Sequence, residues 1–192
     1  MTAGALADRS GRGRPRRRMV RLVWRLGSPL AVLGACGLAG LRLNLTGSLP
    51  VGLYRASRAA PVREAIVLTC LPPSVAAFAR ARGYVPSGGG CPGGVLPVGK
   101  PIRAIAGDTV TVTPTGLLVN DRLVPNSRAL AADRQGRPLP ELTVGRYVVR
   151  PGTVWVVSSY SRFSFDSRYF GAVETGQIRA NVRRLWSAGS AR

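Results

Sequence analysis

The chain has no histidine, one lysine and a serine set in a short turn-like stretch, and that combination narrows the hydrolytic chemistry open to it. Without imidazole a Ser-His-Asp triad cannot form, and neither can a zinc site built on histidine. Lys100 is the single lysine among 28 basic side chains; all the others are arginine. Arginine is permanently charged and cannot act as a base, whereas a buried ammonium can lose its proton near neutral pH. Ser48 lies in Asn44-Leu45-Thr46-Gly47-Ser48-Leu49-Pro50. A nucleophilic serine needs a base within reach and donors aimed at the developing oxyanion. Lys100 is the candidate base; the Ser48 N–H and the Thr46 hydroxyl are the candidate donors. Read alone, Ser48 is equally a turn residue, and Lys100 equally a chance survivor in an arginine-biased composition.

Two other patterns carry less. Gly94-Val95-Leu96-Pro97-Val98-Gly99-Lys100 fits the spacing of a phosphate-binding loop. Pro101 follows where a Ser or Thr must hold magnesium, and a β-rich run stands where a helix is needed, so that reading is set aside. Asn44-Leu45-Thr46 matches a glycosylation acceptor, a pattern common by chance.

The elements that must carry these residues begin with a cationic block. Residues 1–43 hold nine arginines and one acid, Asp8. Residues 26–41 are uncharged, about 24 Å as a helix against a hydrocarbon core of ~30 Å. Arg25 and Arg42 can snorkel, which extends the span to residues 22–43. The positive-inside rule keeps the arginine block cytoplasmic and sends residue 44 onward outside. No clear Ala-x-Ala site precedes Ser48, so a retained anchor is expected. Leu33-Gly34-Ala35-Cys36 loosely resembles a lipoprotein cleavage site, but Cys36 reads more simply as a membrane-helix residue. The expected organisation is a basic cytoplasmic tail (1–21), a transmembrane signal anchor (22–43), an exported periplasmic domain (44–188) and a short tail (189–192). If the domain is exported, Cys70 and Cys91 lie in an oxidising compartment, where two thiols in a small domain tend to pair; the alternative is two free buried thiols.

Within the exported part the pattern is short strands and frequent turns. Strands are expected from residue 51, at 65–70, 102–105, 109–113, 117–119, 123–124, 147–149 and 154–157. One short helix is expected at 74–82, stopped by Gly83. Residues 86–94 read as a glycine-rich loop and 126–142 as irregular. This is a mainly β domain, not a wound α/β sheet. The net charge of +20 suggests nucleic acid at first sight. Outside residues 1–43, however, the basic residues are scattered singly without aromatic interleaving, and a surface facing anionic lipid accounts for them better than nucleic acid does.

Taken together, these residues resemble bacterial type I signal peptidases, and more closely the conjugative-transfer (TraF) branch of that serine peptidase family. Asn44 to Tyr54 resembles the nucleophile box. Lys100-Pro101-Ile102-Arg103-Ala104-Ile105-Ala106-Gly107-Asp108 resembles the base box, and Ser164-Phe165-Asp166-Ser167-Arg168-Tyr169-Phe170-Gly171 the last box. Arg82-Gly83-Tyr84 and Cys91-Pro92-Gly93-Gly94 are similar to the conjugative branch in particular. The family's longer Gly-Asp-Asn-Arg box is absent; Val157-Ser158-Ser159-Tyr160-Ser161-Arg162 stands in its place. The resemblance implies an antiparallel signal-peptidase-like β-sheet domain behind one transmembrane helix. It implies Ser48 as nucleophile, Lys100 as base and Thr46 as side-chain oxyanion donor. Ser164 would hydrogen-bond the lysine, and Asp166 and Arg168 would form a structural ion pair. It implies no cofactor or metal. The implied partners are an exported precursor, of pilin type, the phospholipid membrane and components of a conjugation or type IV secretion system. The implied activity is cleavage of that precursor, with cyclisation as a variant outcome. A general leader peptidase and a non-catalytic membrane-tethered conjugation scaffold are the alternatives.

Overall fold

The structure is a computed structural model and describes residues 40–57 and 59–188. The basic tail, residues 22–39 of the expected anchor, Cys36 and residues 189–192 lie outside the described residues. Among the described residues no helix is long and apolar enough to cross a membrane. The last residues assigned to the anchor need correction. Leu41–Asn44 is strand β1, paired antiparallel with β2 (Gly52–Ser57), Leu41 opposite Arg55 and Asn44 opposite Gly52. Alternating Leu41 and Leu43 along a hairpin arm accounts for it, because a partner strand is supplied only eight residues later.

The remaining strands are β3 (Ile66–Thr69), β4 (Ser87–Cys91), β5 (Val98–Ala104), β6 (Thr109–Thr113), β7 (Gly116–Val119), β8 (Arg122–Leu123), β9 (Gly145–Val148), β10 (Thr153–Val156), β11 (Val173–Glu174) and β12 (Ile178–Ser187). One sheet runs β1-β2-β12-β3-β5-β10-β11 and a smaller one β8-β7-β6-β9. All the pairings are antiparallel. The mainly β expectation therefore holds. Asn120 and Asp121, both at positive φ, make the tight β7–β8 turn, a role their short polar side chains tolerate. Helix α1 (Pro73–Ala81) starts on a proline that needs no N–H there and buries Ala76 and Ala79, one turn apart. Helix α2 (Ser167–Phe170) is a single turn capped by Asp166, whose side chain accepts the Arg168 N–H.

Besides β1, several elements differ from the sequence expectation, among them α2 and β11, which lie beyond the last expected strand. Residues 86–94 are not a loop throughout: Ser87 and Cys91 of β4 both bridge to Val95, and a single 3₁₀ turn follows at Pro92–Gly94. Glycine has poor strand propensity, but here the backbone partner is close; a Cβ on Gly89 would lie 2.2 Å from the Val95 carbonyl oxygen. β5 starts four residues before the expected 102–105, because Gly99 and Pro101 look like breakers yet pair with Leu68 and Ile66 of β3. β12, which the pattern did not separate from the surrounding loops, lies between β2 and β3. It passes so close to β2 that a Cβ on Gly52 would meet the Trp186 carbonyl oxygen at 2.1 Å.

The core has several centres. Val67, Ile102, Val154, Val156 and Val173 pack on the large sheet, each contributing about 1.5–3 kcal/mol by leaving water. Val110, Val112, Leu117 and Val124 join the small sheet to Trp155 and Val157. A third cluster gathers α1 with Cys70, Cys91 and Val95. β5 joins the first two through Ile102 and Ala104, and so carries Lys100 on a strand anchored in both.

Candidate active site

Lys100 sits in β5 opposite Val67 of β3, with 4% of its surface exposed. Its alternation in the strand points it to the face on which the β1–β2 turn lies. That turn is built by Asn44. The Asn44 Nδ2 donates to the carbonyls of Thr46, Leu49 and Pro50, each at 3.1 Å, and Oδ1 accepts the Thr46 N–H and hydroxyl. Tyr54 clamps the far end by donating to the Pro50 carbonyl at 2.7 Å. Leu49 is buried directly over Gly99, where a Cβ would lie 2.9 Å from Leu49 Cδ1. The bare backbone beside Lys100 thus lets the residue beside Ser48 sit down on β5, and the two side chains meet across 52 residues of sequence.

Lys100 Nζ is 2.6 Å from Ser48 Oγ and 2.6 Å from Ser164 Oγ, and the two hydroxyls are 3.3 Å apart. Burial pushes the Lys100 ammonium down from 10.5 to about 8; Asp166 partly opposes the fall and Arg168 adds to it. Desolvation wins because no carboxylate touches the Nζ. A lysine of this kind is neutral in a useful fraction of molecules and can take the Ser48 proton.

Asp166 and Arg168 form a fully buried bidentate pair, Nε to Oδ1 at 2.7 Å and Nη2 to Oδ2 at 3.0 Å. Arg168 also donates to the carbonyls of Asn126 and Ser158, and Asp166 accepts the Ser158 N–H at 3.0 Å. Both charges are therefore surrounded by hydrogen bonds, the condition under which a buried pair is tolerated. The pair fixes the backbone on either side of Ser164 and Ser158.

Ser158 is a site residue that the sequence reading did not single out. Its hydroxyl donates to the Ser48 carbonyl at 2.6 Å and accepts the Tyr160 N–H. Its sequence signal is its place in Val157-Ser158-Ser159-Tyr160-Ser161-Arg162, the run that stands where the family's Gly-Asp-Asn-Arg box is absent, which by itself gives the serine no role. The Ser48 N–H has no hydrogen-bond partner among the described residues. Thr46 lies in the same cleft, its hydroxyl donating to Asn44 Oδ1 at 2.8 Å. Asp108, the end of the base box, stands apart from Lys100. It accepts Arg63, Asn120 and the Ile105 N–H, and it pins the β5–β6 turn. Burial raises its carboxyl and the hydrogen bonds from these three groups outweigh that, leaving it below the usual range. Cys70 and Cys91 are joined as a disulfide, which ties the end of β3 to β4.

Ser48 and Lys100 open onto a cleft of about 850 Å³ whose walls come from the β1–β2 turn, the segment after α1, the start of β5 and residues 130–139. Among the described residues no cluster of carboxylate and thiol ligands suits a metal ion. An activated serine with a buried amine, in a long cleft, can transfer an acyl group.

A sequence profile of the family "Signal peptidase, peptidase S26" matches residues 47–186, which span Ser48, Lys100 and Ser164. The chain belongs to the signal peptidase S26 family. Within that family its relatives are conjugal-transfer proteins. It is 42% identical over 159 residues to a plasmid transfer protein TraF of Escherichia coli, covering 82% of this chain and 89% of that one. A second E. coli plasmid transfer protein TraF is 37% identical over 175 residues, covering 86% and 97%. A solved signal peptidase I from Enterococcus faecalis aligns at 18% identity with a TM-score of 0.36, over 65% of this chain and 98% of that one, a likeness too low to bear on the S26 assignment.

Proposed function

We propose that this chain is a Ser/Lys serine endopeptidase that processes an exported precursor polypeptide of a conjugative transfer system. The observation that carries the reading is the buried Lys100 Nζ within 2.6 Å of Ser48 Oγ, with its proton affinity pushed down to about 8. Neutral Lys100 takes the Ser48 proton as Oγ attacks the scissile carbonyl. The oxyanion is received by the free Ser48 N–H and by Thr46 Oγ, once that hydroxyl turns away from Asn44. Lys100 then gives the proton to the leaving amine, and the acyl group stays on Ser48 until a nucleophile releases it. Water yields a shortened precursor; the precursor's own amino terminus yields a cyclic product.

A pilin-type precursor fits the plasmid-transfer names of the relatives. The apolar segment ahead of β1 anchors the enzyme in the inner membrane with the catalytic domain on the periplasmic side, where substrates emerge. Intact-mass analysis of a co-expressed small pilin-type precursor tests the reading, with wild type, Ser48→Ala and Lys100→Ala. Shortening by wild type alone supports the dyad, and a further loss of one water marks cyclisation. A precursor left identical by all three, against a panel that includes general leader-peptide substrates, refutes it.

A further inference from the structure

The cleft that holds Ser48 and Lys100 has a cationic lining. Arg42, Arg82, Arg134 and Arg137 line it, and Asp133 is the one acid among its described lining residues. Asp133 is fully occupied. It accepts the Tyr84 hydroxyl at 2.5 Å, Arg137 Nε at 2.7 Å, and the N–H groups of Gln135 and Arg137 at 2.9 and 3.0 Å. The Asp133 N–H in turn donates to the Arg137 carbonyl, and the Gly136 N–H to the Asp133 carbonyl, which closes a tight turn over residues 133–137. Asp133 thus orders the turn and is not free to pair with every arginine around it.

Arg134 occupies the tip of that turn. Its guanidinium lies 4.2 Å above the Phe163 ring, the same ring that Arg162 approaches at 4.8 Å. It makes no ion pair with any acid among the described residues. A guanidinium resting over an aromatic face is partly ordered by that contact and keeps N–H donors available for a carboxylate. Phe163 and Arg134 line the same cleft as Ser48, so a group bound there belongs to a chain lying across the nucleophile.

We propose that this part of the cleft is a cationic subsite that selects precursor polypeptides carrying an Asp or Glu side chain close to the scissile bond, with Arg134 as the determinant. The inference rests on the peptidase reading for its substrate class. Anionic lipid is the competing source of negative charge, because Arg42 of the same cleft directly follows the proposed anchor, and the vesicle measurement below separates the two.

The test uses the full chain in nonionic detergent and one precursor in which each position within four residues of the cut is Glu, Gln or Lys in turn. For wild type, kcat/KM should favour Glu over Gln at one position by roughly two- to fivefold, the scale of an exposed charge pair, and the preference should shrink with salt. Arg134→Gln should erase the preference and Arg134→Glu should invert it toward Lys. A Glu/Gln ratio near unity at all positions, or one that both variants leave unchanged, overturns the subsite. Binding of fluorescent Glu and Gln peptides to Ser48→Ala reads the same preference without cleavage. A chain that cuts nothing yet binds Glu peptides through Arg134 keeps the subsite and loses the peptidase reading; one that cuts without charge preference does the reverse. Pelleting with phosphatidylglycerol vesicles completes the test. If Arg134→Glu weakens vesicle binding while the peptide ratio stays put, the arginine serves the membrane and the proposal falls.

Discussion

Replacing Lys100 with Met should make the protein inactive and, at neutral pH, more stable. Lys100 titrates near 10.5 in an unfolded chain and near 8 in the fold. Between those values the unfolded chain binds one more proton, so the stability associated with this group rises with pH across the window of about 8 to 10.5. Below pH 8 both states carry the charge, and the folded state bears the whole cost of burying it, about 3 kcal/mol. Met has a similar shape and no charge, so it removes that cost. It also removes the two hydrogen bonds to Ser48 and Ser164, each a net contribution of about 1 kcal/mol, while the two hydroxyls, 3.3 Å apart, still meet each other. The variant should therefore be more stable than wild type by about 1 kcal/mol at pH 7 and less stable by about 2 kcal/mol above pH 10.5. Urea unfolding of both proteins at intervals from pH 7 to 10.5 measures it, and the difference between the curves cancels the tyrosines, which titrate alike in both. The same titration should govern activity. Wild-type kcat/KM should rise roughly tenfold from pH 7 to 9 as the neutral amine accumulates. A flat difference curve would mean that Lys100 carries no desolvated charge, and the physical ground for calling it the base would be gone.

Ser158→Ala frees the Ser48 carbonyl from its only side-chain donor among the described residues and should lower kcat about tenfold with KM nearly unchanged; a KM effect of that size would show that Ser158 serves substrate binding instead. Asp166→Asn leaves Arg168 buried against a neutral amide and should cost about 3–5 kcal/mol in urea unfolding, a loss within 1 kcal/mol of wild type being incompatible with the pair as described. Replacing Cys70 and Cys91 together with Ala opens a loop spanning 21 residues and should cost about 3 kcal/mol, whereas an unchanged unfolding midpoint would show the bridge to be dispensable.

Ser48 and Lys100 stood out in the sequence as candidates, and the family resemblance paired them. A chain without histidine leaves few bases, and a solitary lysine among arginines is conspicuous. In the small sheet β6 was legible because it alternates threonine and valine with period 2, and β7 because its short apolar run lies between two turn signals. β5 and β4 were harder. Val98 to Pro101 and Ser87 to Cys91 contain glycine and proline that break strands in isolation, and only the neighbouring backbone of β3 and Val95 makes them pair. The first residues of the compact part read as the end of a span, since Leu41 and Leu43 suit a membrane as well as a hairpin.

By itself the sequence determined the kinds of group available: one lysine amine, a serine in a turn, three cysteines, and beyond residue 44 a pattern of short strands and frequent turns that reads as mainly β. The tertiary structure alone decided which of these groups meet. Lys100, Ser48 and Ser164 come together because β5 is buried among strands distant in sequence, and because Gly99 leaves room for Leu49. Ser158 and Arg134 acquire roles only through what faces them, the Ser48 carbonyl and the Phe163 ring. Local pattern encodes what a residue can do; desolvation and hydrogen-bond geometry, which depend on every neighbour, decide whether it does it.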